Sequence, residues 1–324
     1  MFVVEPADLQ ERFRCPEGFS FDVLALADGT PIRHGFAVPA GGARGTIVLA
    51  TGFTEFVELY FETIRDLLAA GFRVHAFDWP GQGASGRPLA DREKAHSRGG
   101  FARYLEALAR VIDTLPADAP RPVTLVGHSL GGHLALRYVQ DVPGQFDALA
   151  LSAPALEVGV DSPVPPHVTR IVVRIMDALG FSERYALGAG PWEGGRERRE
   201  KLLPHLTSDP ERGALLSLWT QANPILRVGG PTWGFGASFV ASQALVLDDL
   251  RLGGIGIPVL IGSPRREIFT DARLHDVVVG KMPRAHLMRF EEAHHCLFLE
   301  ADAFRAPWME ALVALAGSSR LPGA

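Results

Sequence analysis

The stretch that decides the fold is Val123-Thr124-Leu125-Val126-Gly127-His128-Ser129-Leu130-Gly131-Gly132. A β-branched run ends in a Gly-x-Ser-x-Gly motif, and a helical segment follows at once. Gly127 and Gly131 allow a tight strand-to-helix turn, which would project the hydroxyl of Ser129 above the sheet. Backbone N–H groups at the start of the helix would face an anion formed there. The motif therefore predicts a nucleophilic serine, because the flanking strand and helix argue against a chance Gly-Ser-Gly turn.

Strand-like and helical segments alternate along most of the chain. Besides the strand before Gly127, strands are predicted at 21–26, 32–38, 46–50, 72–77, 148–152, 258–261 and 286–290. Helices are predicted at 59–70, 101–115, 130–140, 271–280 and 302–316. The first two strands flank Asp28-Gly29, which is typical of a hairpin turn. This alternation predicts an α/β fold with a mostly parallel sheet, helices on both faces and active residues at the carboxyl ends of the strands.

Residues 155–244 break the alternation. They contain helical patches interrupted by proline, glycine and charge, and this pattern predicts a helical cap inserted into a core formed by 1–154 and 245–324. Apolar stripes at helical spacing are expected to pack onto their own domain, although inward-facing residues could line an acyl pocket. The stripes are Ile171, Val172, Ile175, Met176 and Leu179, and Leu215, Leu216, Leu218 and Trp219. The charged run 196–201 is expected to be a solvated helix face.

Composition excludes several classes of function. The chain has 324 residues, 47% of them hydrophobic, and a net charge of −5 without a long Lys/Arg cluster, which argues against nucleic-acid binding. Cys15 and Cys296 lack metal-ligand spacing and are expected to be buried free thiols, so we expect neither a metal nor another cofactor. The charged N-terminus and the lack of any transmembrane-length run predict a cytoplasmic protein that can touch a membrane surface.

A serine hydroxyl needs a base to remove its proton and an acid to orient that base. Two adjacent histidines, His294 and His295, follow the last predicted strand, where the chain order Ser, acid, His places the base. We favour His295, because the apolar run into the last helix begins there. His294 is expected to cap a turn or to pack locally.

Two carboxylates follow the strand at 258–261. Glu267 comes first, and we favour it as the acid; its alternative role is a weak surface ion pair with Arg265 or Arg266. Asp271 opens a helical pattern, where a carboxylate commonly caps the helix, and it stays the second candidate.

An oxyanion formed at Ser129 needs two backbone N–H donors. Leu130, the residue after the serine, supplies one in this type of turn. Phe53, which follows Gly52 in the loop after the strand at 46–50, is the candidate for the other. The alternative for this loop is an ordinary tight strand-to-helix turn.

These residues together resemble the bacterial lysophospholipase and monoacylglycerol lipase group of serine α/β hydrolases, over nearly the whole chain. The matching motifs are Gly52-Phe53-Thr54-Glu55, Asp78 through Arg87, Gly127 through Gly132, Gly229-Gly230-Pro231-Thr232-Trp233, and His295 through Glu300. On this resemblance Ser129 falls on the nucleophile, His295 on the base, Glu267 on the acid, and Phe53 with Leu130 on the oxyanion donors. The family more often has Asp where Glu267 stands, with a glycine just before it. Thr51-Gly52, where His-Gly is common, is closer to the lysophospholipase branch.

The resemblance implies an ester hydrolase that cleaves a small lipid-like substrate, a lysophospholipid or a monoacylglycerol, through an acyl-enzyme on Ser129. Amide or peptide hydrolysis of the serine aminopeptidase type would use the same residues and stays open. A third hypothesis is a hydrolase-like binding module without catalysis, which the intact Ser129, Glu267 and His295 set argues against. Haloalkane or epoxide chemistry would need Asp at position 129.

Overall fold

The computed structural model describes residues 3–157, 164–193 and 200–321. Most of the charged run at 196–201 therefore lies outside the described residues. An eight-stranded sheet organises the molecule, with the strand order β1-β2-β4-β3-β5-β6-β7-β8. The strands are β1 Ser20–Ala25, β2 Pro31–Ala37, β3 Thr46–Ala50, β4 Arg73–Phe77, β5 Val123–His128, β6 Ala148–Ser152, β7 Val259–Pro264 and β8 Ala285–Phe290.

Strand β5 lies between β3 and β6 near the middle of the sheet, and all pairs from β4 to β8 are parallel. Strands β1 and β2 pair antiparallel, as the predicted hairpin at Asp28-Gly29 requires, and β2 also pairs antiparallel with β4. Every residue of β3, β5, β6 and β7 is buried, because both faces of a parallel sheet are covered. The predicted mostly parallel sheet is confirmed.

The helices pack on both faces of this sheet. They are α1 Phe61–Ala69, α2 Ala102–Ile112, α3 Leu130–Asp141, α4 Pro166–Met176, α5 Pro210–Ala222, α6 Trp233–Val246, α7 Asp249–Gly253, α8 Arg273–Val279 and α9 Asp302–Ser318. One buried apolar cluster contains residues of α1 and α9, and a second contains residues of α2 and α3. The two faces of the sheet are thus covered by apolar layers. The edge formed by the carboxyl ends of the strands is therefore the place for a functional site.

Helices α4, α5 and α6 lie between β6 and β7, in the region where the sequence predicts an inserted cap. The last of them continues to Val246, two residues beyond the predicted limit at 244. Helix α5 buries Leu215 and Trp219 of its stripe, but against the predicted core and not within the predicted cap, since Trp219 packs against Phe61 of α1. Helix α4 does not: Ile171 and Ile175 are 56% and 51% exposed, so the expectation that this stripe packs onto its own domain is wrong.

Helix α5 is fixed to the core by one buried guanidinium. Arg212 binds both carboxylate oxygens of Glu62 in α1, at 2.7 and 2.8 Å, and the carboxylate of Asp302 at the start of α9, at 2.7 Å. A paired and hydrogen-bonded charge of this kind is costly to break. These contacts hold α5 against the core, whereas α4 presents an exposed apolar face.

The two cysteines differ. Cys296 is buried, but Cys15 is exposed, which corrects the expectation that both thiols are buried; both are free. Among the described residues, no helix combines the length and the apolar composition that crossing a bilayer requires.

Candidate active site

Ser129 lies in a strained turn between β5 and α3. Its backbone has φ 51° and ψ −114°, an unfavourable conformation for a residue with a side chain, and such strain is concentrated at functional sites. A Cβ at Gly127 would lie 2.5 Å from the carbonyl oxygen of Gly131, and one at Gly131 would collide with the carbonyl oxygen of Ala50. Both glycines are therefore required for the close approach of helix and strand, as their spacing around the serine predicts.

The two predicted oxyanion donors, Leu130 and Phe53, lie at the start of α3 and in the loop after β3. Leu130 is the first residue of α3, so its N–H has no partner within the helix. Phe53 lies in the loop after β3, which is the strand next to β5. Its ring packs against Phe235 of α6, with 4.9 Å between ring centroids. The loop that carries Phe53 thus lies between the sheet edge and a helix of the predicted cap.

The loop after β4 supports the Phe53 loop. Trp79 donates its indole N–H to the carbonyl oxygen of Thr51 at 2.7 Å, and the Gln82 side-chain oxygen accepts the N–H of Thr54. Gly83 of the same loop has a positive φ of 51°, and a Cβ there would collide with the Asp78 carboxylate. The Asp78 through Arg87 motif therefore acts as a support for the loop that holds Phe53.

His295 and Glu267 form a direct pair. The Glu267 carboxylate accepts a hydrogen bond from Nδ1 of His295 at 2.5 Å, and its other oxygen accepts the N–H groups of Phe269 at 2.6 Å and Thr270 at 3.2 Å. Burial opposes ionisation of this carboxyl, but the imidazole and these hydrogen bonds outweigh it and lower the pKa of Glu267 to about 2. The pair keeps the proton on Nδ1, so Nε2 is left as the basic nitrogen.

This pair lies beside the serine turn. The His295 ring is 4.8 Å, centroid to centroid, from the ring of His128, the residue that precedes Ser129. The backbone N–H groups of His295 and Cys296 donate to the carbonyl oxygens of His205 and Leu206, at 3.4 and 2.8 Å. A segment of the region between β6 and β7 therefore holds the loop that carries the imidazole.

The other two candidates are bound elsewhere. The Asp271 carboxylate accepts the backbone N–H and guanidinium of Arg273 near the start of α8, at 3.0 and 2.9 Å. Nδ1 of His294 is 3.1 Å from Glu300, whose side chain is buried. The described ion pairs of Arg265 and Arg266 are with Glu291 and Glu292 and not with Glu267, whose side chain is 1% exposed, so the alternative role of Glu267 as a surface ion pair is wrong.

Glu55, His128 and Cys296 form a further group of ionisable residues next to the site, to which the sequence patterns gave no catalytic role. Nε2 of His128 is 3.3 Å from the Glu55 carboxylate. Burial disfavours the imidazolium, but the Cys296 sulfur and the Glu55 carboxylate outweigh it and raise the pKa of His128 well above its usual value. Burial likewise raises the pKa of the Cys296 thiol. The sequence did carry a signal for this group, because Glu55 and His128 are ionisable residues inside two glycine motifs, Gly52 through Glu55 and Gly127 through Gly131.

The same three residues are the described group whose donor atoms could approach one metal ion, since these atoms lie within 4.8 Å of one another. Hydrogen bonds already engage the group: the Glu55 carboxylate accepts the N–H of Gly52 at 2.5 Å and the Tyr60 hydroxyl, and Nδ1 of His128 is 3.2 Å from the Ser152 carbonyl oxygen. We therefore describe it as a hydrogen-bonded cluster rather than as a metal centre.

The strained serine turn and the carboxylate–imidazole pair at the edge of a mostly parallel sheet define the α/β-hydrolase class. The chain belongs to the serine aminopeptidase S33 family, whose profile matches residues 41–302.

Three known proteins illustrate the relationship. Lysophospholipase L2 of Escherichia coli (strain K12) is 29% identical over 287 residues, which cover 82% of this chain and 78% of that protein. A monoacylglycerol lipase of Mycolicibacterium smegmatis is 31% identical over 159 residues, 48% of this chain and 54% of that protein. In fold, the chain is similar to a soluble variant of monoglyceride lipase from Saccharomyces cerevisiae, with a TM-score of 0.72, 17% identity, and 97% and 100% of the two chains covered. The predicted group and the α/β-hydrolase fold are confirmed.

Proposed function

We propose that this enzyme is a serine hydrolase that cleaves the carboxylic ester of a lipid-like monoacyl substrate, a lysophospholipid or a monoacylglycerol. The observation that carries the proposal is the pairing of Glu267 with His295 beside the strained turn of Ser129. The names of the relatives support an ester as the substrate, since two of them are a lysophospholipase and a monoacylglycerol lipase.

In the proposed reaction, the Ser129 oxygen attacks the ester carbonyl carbon while Nε2 of His295 takes the hydroxyl proton. The carbonyl oxygen becomes an oxyanion, which accepts hydrogen bonds from the N–H groups of Phe53 and Leu130. Collapse breaks the bond to the alcohol, which leaves with the proton from His295. Water then attacks the acyl-enzyme, gives a proton to His295, and releases the fatty acid as Ser129 regains its proton. Glu267 stabilises the imidazolium in both halves.

We also propose that residues 155–244, extended to the end of α6 at Val246, form a cap over the site. Phe235 and Phe239 of α6 support this division, because they pack against Phe101 near the start of α2, and Phe235 also packs against Phe53. An apolar aromatic wall next to the oxyanion loop fits the acyl chain of a lipid ester better than a polar substrate.

The exposed face of α4 supports peripheral contact with a membrane. Val168, Ile171, Val172 and Ile175 follow helical spacing on one side of the helix, and Leu179 extends the stripe. A contiguous apolar face on a protein of this class fits contact with the surface in which its substrate is dissolved. A cytoplasmic location stays a prediction, which cell fractionation tests.

The test is turnover of the wild type and of Ser129→Ala on p-nitrophenyl esters of increasing acyl length, lysophosphatidylcholine and monoacylglycerol. We expect the variant to lose at least about 10³-fold in kcat, and the wild type to stop reacting after a fluorophosphonate labels Ser129. Undiminished turnover by Ser129→Ala would remove the mechanism.

Amide hydrolysis is the second candidate, and the description of the family as a serine aminopeptidase favours it. The test compares the rate enhancement over the uncatalysed reaction for aminoacyl p-nitroanilides with that for the matched p-nitrophenyl esters. An aminopeptidase would show the larger enhancement on the anilides. The binding-module hypothesis would be revived if neither substrate turned over and the fluorophosphonate left Ser129 unmodified.

A further inference from the structure

The Glu55–His128 pair lies where three loops of the site meet. Glu55 belongs to the loop after β3, and its side chain is 13% exposed; His128 is fully buried at the end of β5. Nε2 of His128 lies 3.3 Å from Glu55 Oε1 as an ion-pair contact without hydrogen-bond geometry, and Nδ1 lies 3.2 Å from the Ser152 carbonyl oxygen and 3.3 Å from the Ser152 hydroxyl. The 3.3 Å approach of Nε2 to the carboxylate, together with the raised pKa of His128, describes a largely buried ion pair.

Glu55 also fixes the loop that carries Phe53. Its Oε2 accepts the N–H of Gly52 at 2.5 Å and the hydroxyl of Tyr60. The Gly52 amide is one peptide before the N–H of Phe53, so its position limits where that donor points. Charge-assisted hydrogen bonds to a carboxylate are stronger than neutral ones, and the pair with His128 keeps Glu55 charged. Burial opposes this charge, but His128, Tyr60 and Gly52 outweigh it and lower the pKa of Glu55.

His128 connects the pair to the other two loops. It is covalently next to Ser129, and its ring packs against His295 at 4.8 Å between centroids. The Cys296 sulfur lies within 4.8 Å of the donor atoms of both Glu55 and His128. The nucleophile, the base and the loop of the oxyanion donor thus share one charged contact.

We propose that Glu55 and His128 are positioning residues, whose ion pair holds the N–H of Phe53 in register with Ser129 and His295. This inference rests on the proposed hydrolase function. Neither residue transfers a proton to the substrate in this scheme. Their effect is to place the oxyanion donor, and a displacement of about 1 Å at such a donor costs about 100-fold in rate. Loss of the pair should therefore lower kcat and leave KM almost unchanged.

The experiment compares Glu55→Gln, His128→Asn and the double variant with Glu62→Gln as the matched control. Glu62 is also a largely buried carboxylate in ion pairs, and its described partners, Arg12, Arg212 and Arg305, lie outside the three loops. We expect kcat to fall about 100-fold in the Glu55 and His128 variants, with KM within about threefold, while Glu62→Gln loses stability but keeps its kcat. The double variant should be about as slow as either single variant, because one unit is lost in each.

Tyr60→Phe is the milder variant for the case in which the others do not fold. It removes one hydrogen bond to Glu55 and leaves the ion pair. We therefore expect kcat to fall several-fold, the factor that corresponds to the free energy of one hydrogen bond. The proposal would be overturned if the loss of kcat correlated with the loss of melting temperature across all variants, Glu62→Gln included. It would also be overturned if the kcat losses of the two single variants multiplied in the double variant.

The rate of Ser129 labelling by a fluorophosphonate separates this proposal from the proposed function. If the wild type labels but cleaves no ester, the ester assignment fails, and the labelling rates of the same variants still decide the role of the pair. If the wild type cleaves esters and the variants label and turn over at its rate, the positioning role alone fails.

Discussion

Glu267 binds Nδ1 of His295 with one carboxylate oxygen while its other oxygen accepts two backbone N–H groups, those of Phe269 and Thr270. These backbone hydrogen bonds fix the carboxylate, so its position determines the orientation of the His295 ring. The carboxylate of Asp271, four residues later, accepts a hydrogen bond from the guanidinium of Arg273 instead. The two acids differ in what they contact, although both follow the same strand.

Glu267→Gln should lower kcat by about 10³ to 10⁴-fold, because an amide can donate to Nδ1 and thereby select the wrong tautomer of His295. Glu267→Asp keeps the charge and should lose less. Asp271→Asn is the matched control and should stay within about threefold of the wild type. The measurement is kcat on a short p-nitrophenyl ester; a larger loss in Asp271→Asn than in Glu267→Gln would reverse the assignment.

Gly127→Ala should destabilise the protein by about 3 kcal/mol or more, since the added Cβ would lie 2.5 Å from the Gly131 carbonyl oxygen and helix α3 would have to move. Gly256→Ala is the control, because a Cβ there meets nothing within 4 Å. Urea unfolding at pH 7.5 measures both. Equal stability of the two variants would show that the turn is not tightly packed.

His75 should make the protein sensitive to acid. Burial, with smaller contributions from Arg73 and His34, lowers the pKa of His75 to about 4, and no described residue accepts or donates a hydrogen bond at its ring. The unfolded chain, with a histidine pKa near 6.5, binds the proton first, so this contribution to stability is present above about pH 6.5 and is lost as the pH falls toward 4.

The matching variant is His75→Leu. Its free energy of unfolding should fall less between pH 7.5 and 4.5 than that of the wild type, by roughly 2 to 3 kcal/mol. Urea unfolding at the two pH values gives this difference. Parallel losses in both proteins would mean that His75 titrates normally in the folded state.

The exposed face of α4 should bind lipid. A double change, Ile171→Asp with Ile175→Asp, should weaken sedimentation with phosphatidylcholine vesicles at least about tenfold, because the charges cannot enter an apolar layer. Turnover of a soluble aryl ester should not change. Leu250→Asp alters another exposed leucine, 88% exposed in α7, and should bind vesicles as the wild type does. Equal binding by all three proteins would contradict the membrane contact.

Local patterns predicted much of the architecture. The strands expected at 46–50 and 148–152 have these bounds in the structure, and the helix after Ser129 starts where Gly-x-Ser-x-Gly places it. A buried parallel strand needs a continuous apolar run, and a tight turn needs glycine, so both can be recognised in a few adjacent residues. The ends of helices were predicted less accurately: the helix expected at 101–115 ends at Ile112.

Contacts between distant segments needed the tertiary structure. The sequence by itself determined the α/β class, the serine turn and two short lists of partners, but only the fold decided that Glu267 and not Asp271 contacts His295. The same holds for the exposed stripe of α4 and for the Glu55–His128 pair, whose members are 73 positions apart in the sequence. Periodicity describes which side of a segment is apolar, whereas what covers that side, and which charges meet beneath it, depends on how the chain is packed.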